Sequence, residues 1–167
     1  MRVALGRRIL PALMVAGAVA APEALQAQVL EWGTTLTGAQ QVPPVSTPAT
    51  GRAFGTINVG TGAFTWNLSF VGLTSPTFAV AGTPAHLHGP ALPGQTAGIL
   101  LGFSGVSEGI FSSPSTFSGS GTLTPAQVGF VLEGRTYVNL HTNANRAGEI
   151  RGQVAVVPEP STYALMA

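Results

Sequence analysis

Between Ala63 and Val71 every second residue is large and apolar. Phe64, Trp66, Leu68 and Phe70 alternate with Thr65, Asn67 and Ser69. A period of two belongs to a strand with one face in a core and the other outside it. Gly60-Thr-Gly62 precedes this run, and the β-rich residues 51–59 precede that, so a hairpin is predicted over 51–71. A half-buried strand of this kind needs partners, and the rest of the chain supplies them. Strands are predicted at residues 30–37, at 73–81 with a break at Pro76, at the His-Leu-His segment 86–88, and at 97–103, which is apolar enough to be buried. A further strand is expected at 115–123, with Phe111 and Phe117 as anchors. Residues 135–142 and 148–157 then form a second hairpin around Asn143-Ala-Asn-Arg-Ala-Gly148. Residues 40–50 carry Pro43, Pro44 and Pro48 and are read as a surface loop. One helix start stands out: Thr124 can cap, Pro125 suits the first helical position, Gln127 completes a capping box, and Gly134 ends the segment. The prediction is an all-β fold, an antiparallel β-sandwich or Greek-key barrel with one short helix, in a single domain.

Composition narrows the function. Charged residues make up 8% of the chain, the formal net charge is +1, and neither Lys nor Asp occurs. No basic patch can form, so nucleic acid is not an expected partner. Cysteine is absent, which removes disulfides, thiolate catalysis and Cys-ligated metals. No G-x-S-x-G elbow is present, no Gly-rich loop ends in Lys, and no two glutamates share a short motif. The chain reads as a non-enzymatic module.

The two ends read differently from the middle. Arg2, Arg7 and Arg8 precede the apolar run 9–21, and Leu25-Gln-Ala27 offers small residues for cleavage, so residues 1–27 are predicted to be a signal peptide. Residues 28–157 would form the folded domain. In the tail, Val157-Pro-Glu-Pro-Ser-Thr162 resembles the opening of a PEP-CTERM sorting signal. That signal is used by Gram-negative bacteria that export proteins and make extracellular polysaccharide. Only Tyr163-Ala-Leu-Met-Ala167 follows here, so residues 158–167 are a truncated form of the pattern. The resemblance implies secretion to the cell surface or matrix of such a bacterium. Membrane contact would be transient, through the leader and the tail.

Three histidines are the candidate chemistry. His86 and His88 are two apart and would share one face of a strand, with Leu87 turned to the core. In Tyr137-Val-Asn-Leu-His141, Val138 and Leu140 form one face, and Tyr137, Asn139 and His141 the other. All three imidazoles can therefore leave the sheet on its polar side. Neutral imidazoles suit copper or zinc, and three of them match the ligand count of a catalytic zinc site. Glu149 would face His141 across the hairpin and orient it from behind, with Arg151 as an anion-attracting neighbour. The other reading is architectural: His86 and His88 bond the loops near Gly89-Pro90, and His141 pairs with Glu149.

Three separated motifs carry a family resemblance. Leu36-Thr-Gly-Ala-Gln-Gln-Val-Pro-Pro-Val45, Ala85-His-Leu-His-Gly-Pro-Ala91, and Tyr137-Val-Asn-Leu-His-Thr142 with Gly148-Glu-Ile-Arg-Gly-Gln153 resemble a CHRD (chordin-type) domain. The likeness spans about residues 30–156 and implies an extracellular all-β module that binds or supports, with cell-surface polysaccharide or a surface protein as partner. The placement of His86, His88 and His141 is also similar to the copper side of copper–zinc superoxide dismutase, another Greek-key barrel. The fourth, bridging histidine, the zinc-binding aspartate and the disulfide of that family are all missing here. A small copper- or zinc-binding protein, possible redox activity included, is thus the alternative to a purely structural module.

Overall fold

The predicted hairpin is in place. β2 (Thr50–Asn58) and β3 (Ala63–Val71) pair antiparallel, and the Asn58 side chain accepts from the backbone of Gly60 and Thr61 to close the turn. The computed structural model describes residues 28–111 and 115–157. Around the hairpin lie β1 (Val29–Thr37), β4 (Ala85–His88), β5 (Ile99–Gly102), β6 (Ser115–Thr122), helix α1 (Pro125–Leu132), β7 (Tyr137–Leu140), β8 (Ile150–Gln153) and β9 (Ala155–Val157). The strands pair antiparallel in the order β5-β4-β7-β8-β1-β2-β3-β6, with β9 on β1.

The sheet curls until its two edges approach. Leu101 of β5 packs where Gly121 of β6 has no side chain, and Gly119 leaves room for the Trp66 ring in the same way. The result is a nearly closed barrel. Its interior holds the alternating face of β3: Phe64, Trp66, Leu68 and Phe70 are all buried. Trp32 stacks on Phe64 at 4.8 Å and Phe103 on Trp66 at 4.6 Å. Stacked aromatic pairs of this kind add about 0.5–1.5 kcal/mol each beyond their burial. Helix α1 begins with the full capping box of Thr124 and Gln127, buries Val128 and Val131, and is followed by Gly134 at φ +66°.

Four sequence expectations need correction. Residues 73–81 form no strand; they make only isolated bridges, Thr77 to Thr142 and Val80 to Thr83. Pro76 and the positive-φ Gly72 and Gly82 break the run, and Thr77 instead bonds Ser107 and Ile110. The 97–103 strand is shorter and lies at a sheet edge, with Ile99 exposed, because nothing pairs with it beyond β4. Phe111 is 53% exposed and anchors nothing in the core; Phe117 does pack, on Phe70. The last strand splits at Val154, whose N–H bonds the Thr136 carbonyl, so β8 stays with β7 while β9 crosses to β1. The proposed leader and tail lie outside the described residues. Among those described, no helix is long and apolar enough to cross a membrane.

Candidate metal centre

Strands β4, β7 and β8 lie side by side, and their register sets out the site. His86 pairs with Asn139, and Asn139 with Arg151; one rung further, His88 pairs with Tyr137, and Tyr137 with Gln153. Ala85, Leu87, Val138, Leu140 and Ile150 fill the barrel between these positions. All the polar partners therefore stand on the outer face. That face is not open to solvent. His86, His88 and His141 are 0%, 7% and 4% exposed, since the loops after β4 and β7 fold back over them.

The three imidazoles meet. One ring nitrogen from each lies within 4.8 Å of the other two. The rings pack edge-on or tilted, with centroids 5.1 Å apart for His86 and His141, 5.7 Å for His86 and His88, and 6.0 Å for His88 and His141. The outer nitrogens are held by fixed acceptors. His88 Nδ1 is 3.0 Å from the Ala97 carbonyl and His141 Nδ1 is 2.8 Å from the Arg146 carbonyl. A carbonyl only accepts, so each Nδ1 carries the proton and each Nε2 keeps a free lone pair. His86 makes a longer contact, Nε2 to Thr83 Oγ1 at 3.5 Å, while that hydroxyl donates to the Ala85 carbonyl. The opposite nitrogens, His86 Nδ1, His88 Nε2 and His141 Nε2, are buried and have no hydrogen-bond partner.

Such a cluster resists protonation. Burial lowers the pKa of His86 to about 4, with the charges of His141 and His88 adding to the effect. Burial also lowers His88 and His141, against the pull of the Ala97 and Arg146 carbonyls. Near neutral pH the site presents neutral imidazoles, the form that ligates copper or zinc. A zinc or copper ion here would be held by one ring nitrogen from each of His86, His88 and His141.

Glu149 and Arg151 sit elsewhere than the sequence suggested. Glu149 does not touch His141, whose partner is the Arg146 carbonyl. Its Oε1 accepts from Thr47 Oγ1 at 2.7 Å and Thr74 N at 2.8 Å, and its Oε2 from Thr142 Oγ1 at 2.8 Å. Burial pushes the carboxyl pKa up, but these bonds outweigh it and hold the group below its ordinary value. Glu149 thus ties three segments together beside the histidines. Arg151 lies 3.5 Å over the Tyr137 ring, and His88 stacks on the same tyrosine at 4.9 Å. Because β4 and β8 flank β7, Tyr137 is a spacer between the cluster and the guanidinium. Sequence reasoning missed two supports. Gln41 reaches Asn139 at 2.7 Å from a Pro-rich loop, and nothing in the local sequence signals that contact. Tyr137 was placed on the correct face, but its role as a spacer depends on strand order.

A family model, the CHRD domain, matches residues 32–154. The chain belongs to the CHRD domain family. No curated protein and no solved structure matches it.

Proposed function

We propose that this CHRD protein is an exported, non-enzymatic module whose own binding chemistry is a copper or zinc ion held by His86, His88 and His141. The observation that carries this reading is the set of three unpartnered, buried ring nitrogens turned toward one another. An unsatisfied buried polar atom costs about 1–3 kcal/mol. Three such atoms in one place are a standing cost that a metal ion removes. The carbonyl partners of His88 and His141 support the reading, since they orient each imidazole from behind as in known metal sites. The near-complete burial of all three rings favours an ion held in place over one that turns over substrate.

Residues 1–27 act as the leader and 158–167 as a PEP-CTERM-like tail in this proposal, and the exported domain meets surface polysaccharide or a surface protein. The metal reading is tested on untagged, metal-free protein titrated with Cu and Zn and analysed by elemental mass spectrometry. About one equivalent should bind, one ion per three-histidine set, and a His86→Ala/His88→Ala variant should bind none. Absence of binding at micromolar metal sinks the proposal. Amino-terminal sequencing of protein exported from a Gram-negative host tests the leader, with Gln28 the expected first residue.

A further inference from the structure

We infer that Arg151 anchors a second site, a cleft beside the barrel that takes a small carboxylate with an apolar body. The cleft encloses about 370 Å³ between the 3-10 turn at Gly38–Gln40 with the loop after it and the Pro93-Gly94 turn. That size falls within the range of about 300–1,000 Å³ typical of small-molecule pockets. Val42, Pro44 and Pro93 give it apolar walls, and Arg151 and Gln153 form its polar end.

The charge at that end lacks a counterpart. Arg151 is only 2% exposed. Its side chain makes one long bond from Nη2 to Gln153 Oε1 at 3.4 Å and lies against the face of Tyr137. Among the described residues no carboxylate pairs with it; the one ion pair there is between Arg135 and Glu133, on the surface. Glu149, the nearest acidic residue in sequence, is saturated by Thr47, Thr74 and Thr142. A buried cation is costly unless an anion or hydrogen-bond acceptors meet it. Arg151 lines the cavity, and a guanidinium offers five donors in a planar fork that matches a carboxylate. The neighbouring amides are already committed and hold the wall rigid. Gln153 Nε2 donates to the Ala91 and Gly134 carbonyls, Gln40 Oε1 accepts from Gln153 N, and Gln41 Nε2 donates to Asn139. Arg151 is left as the group with donors to spare. The ring of Tyr137 lies between it and His88, so the guanidinium and the histidines are in separate contacts.

The test is an NMR titration of the metal-free protein with benzoate and, as the neutral isostere, benzamide. Benzoate should shift the amides of Gln41, Val42, Gly94 and Gln153 in a saturable way, and benzamide should not. Arg151→Met should weaken benzoate binding at least tenfold. Val42→Glu changes an exposed residue at the mouth and places a negative charge there, so it should weaken binding even if the Arg151 variant fails to fold. Equal response to benzamide, no response to millimolar benzoate, or parent-like affinity in Val42→Glu each overturns the proposal. Shifts spread over the whole surface mean an adventitious additive only, and count against it equally.

Discussion

Two buried polar clusters share the hairpin between β7 and β8, and they are built on opposite terms. Around Glu149 every charge is met: a carboxylate with no solvent exposure receives two threonine hydroxyls and a backbone N–H. Around the histidines the outer nitrogens of His88 and His141 meet carbonyls, and one buried nitrogen of each of the three rings has no protein partner. Both clusters are equally dry, and both join segments far apart in sequence. What differs is saturation. A buried group whose bonds are complete contributes to folding alone, because it has no capacity left. One left incomplete has capacity for something from outside. The expected roles thus exchange places: the glutamate thought to serve the histidine instead staples the loops that lie beside it.

The sharpest way to break this contrast is Glu149→Ala. It strands three donors at about 1–3 kcal/mol apiece, so urea unfolding should show a loss of at least about 3 kcal/mol. A loss below about 1 kcal/mol would mean that water replaces the carboxylate freely and that the cluster is no staple. Metal comes next. Copper or zinc at 100 times its dissociation constant should stabilise the parent by about 2.7 kcal/mol and leave His86→Ala/His88→Ala unchanged. An equal gain in the variant would place the ion elsewhere.

Acid should then separate the clusters in time. The folded histidines have lowered pKa values, so the unfolded chain binds protons first and stability falls as pH falls. For His86 the loss runs from about 6.5, its unfolded value, down to about 4. Glu149 is also lowered, and its contribution is intact above its unfolded value of 4.5 and lost below it. Metal-free protein should therefore weaken in two stages, and a thermal scan at each pH from 7.5 to 3.5 should show the first stage reduced in His86→Ala, with His88 and His141 still contributing; an unchanged first stage would remove His86 from it. The smallest effect is Thr47→Ala, about 1 kcal/mol, since it removes one donor of three and leaves the carboxylate bound by two.

Much of this was legible without coordinates. The alternation over Phe64–Phe70, the Gly60-Thr-Gly62 turn, the Thr124 capping box and the shared face of His86 and His88 are all local, so side-chain period and turn chemistry fix them. Where tertiary forces compete with local pattern, the sequence misled. Residues 73–81 have strand-like composition but make only isolated bridges, and 97–103 is apolar yet ends at an edge. Glu149 was misplaced for a related reason. Its position opposite His141 assumed a flat ladder, whereas beyond β7 the chain leaves the sheet and the Arg146 carbonyl accepts the imidazole N–H.

By itself, then, the sequence determined a cysteine-free chain of short two-faced strands with its three imidazoles on the side of the sheet away from the barrel core. Only the tertiary structure decided that loops from residues 89–98 and 142–149 cover that side, that the third imidazole joins the other two, and that Arg151 stands beyond Tyr137 without a counter-charge. The reason is physical. Which face a side chain leaves from follows from backbone period. Which groups remain unsatisfied depends on every segment that folds over them, and those segments lie up to 113 residues apart along the chain.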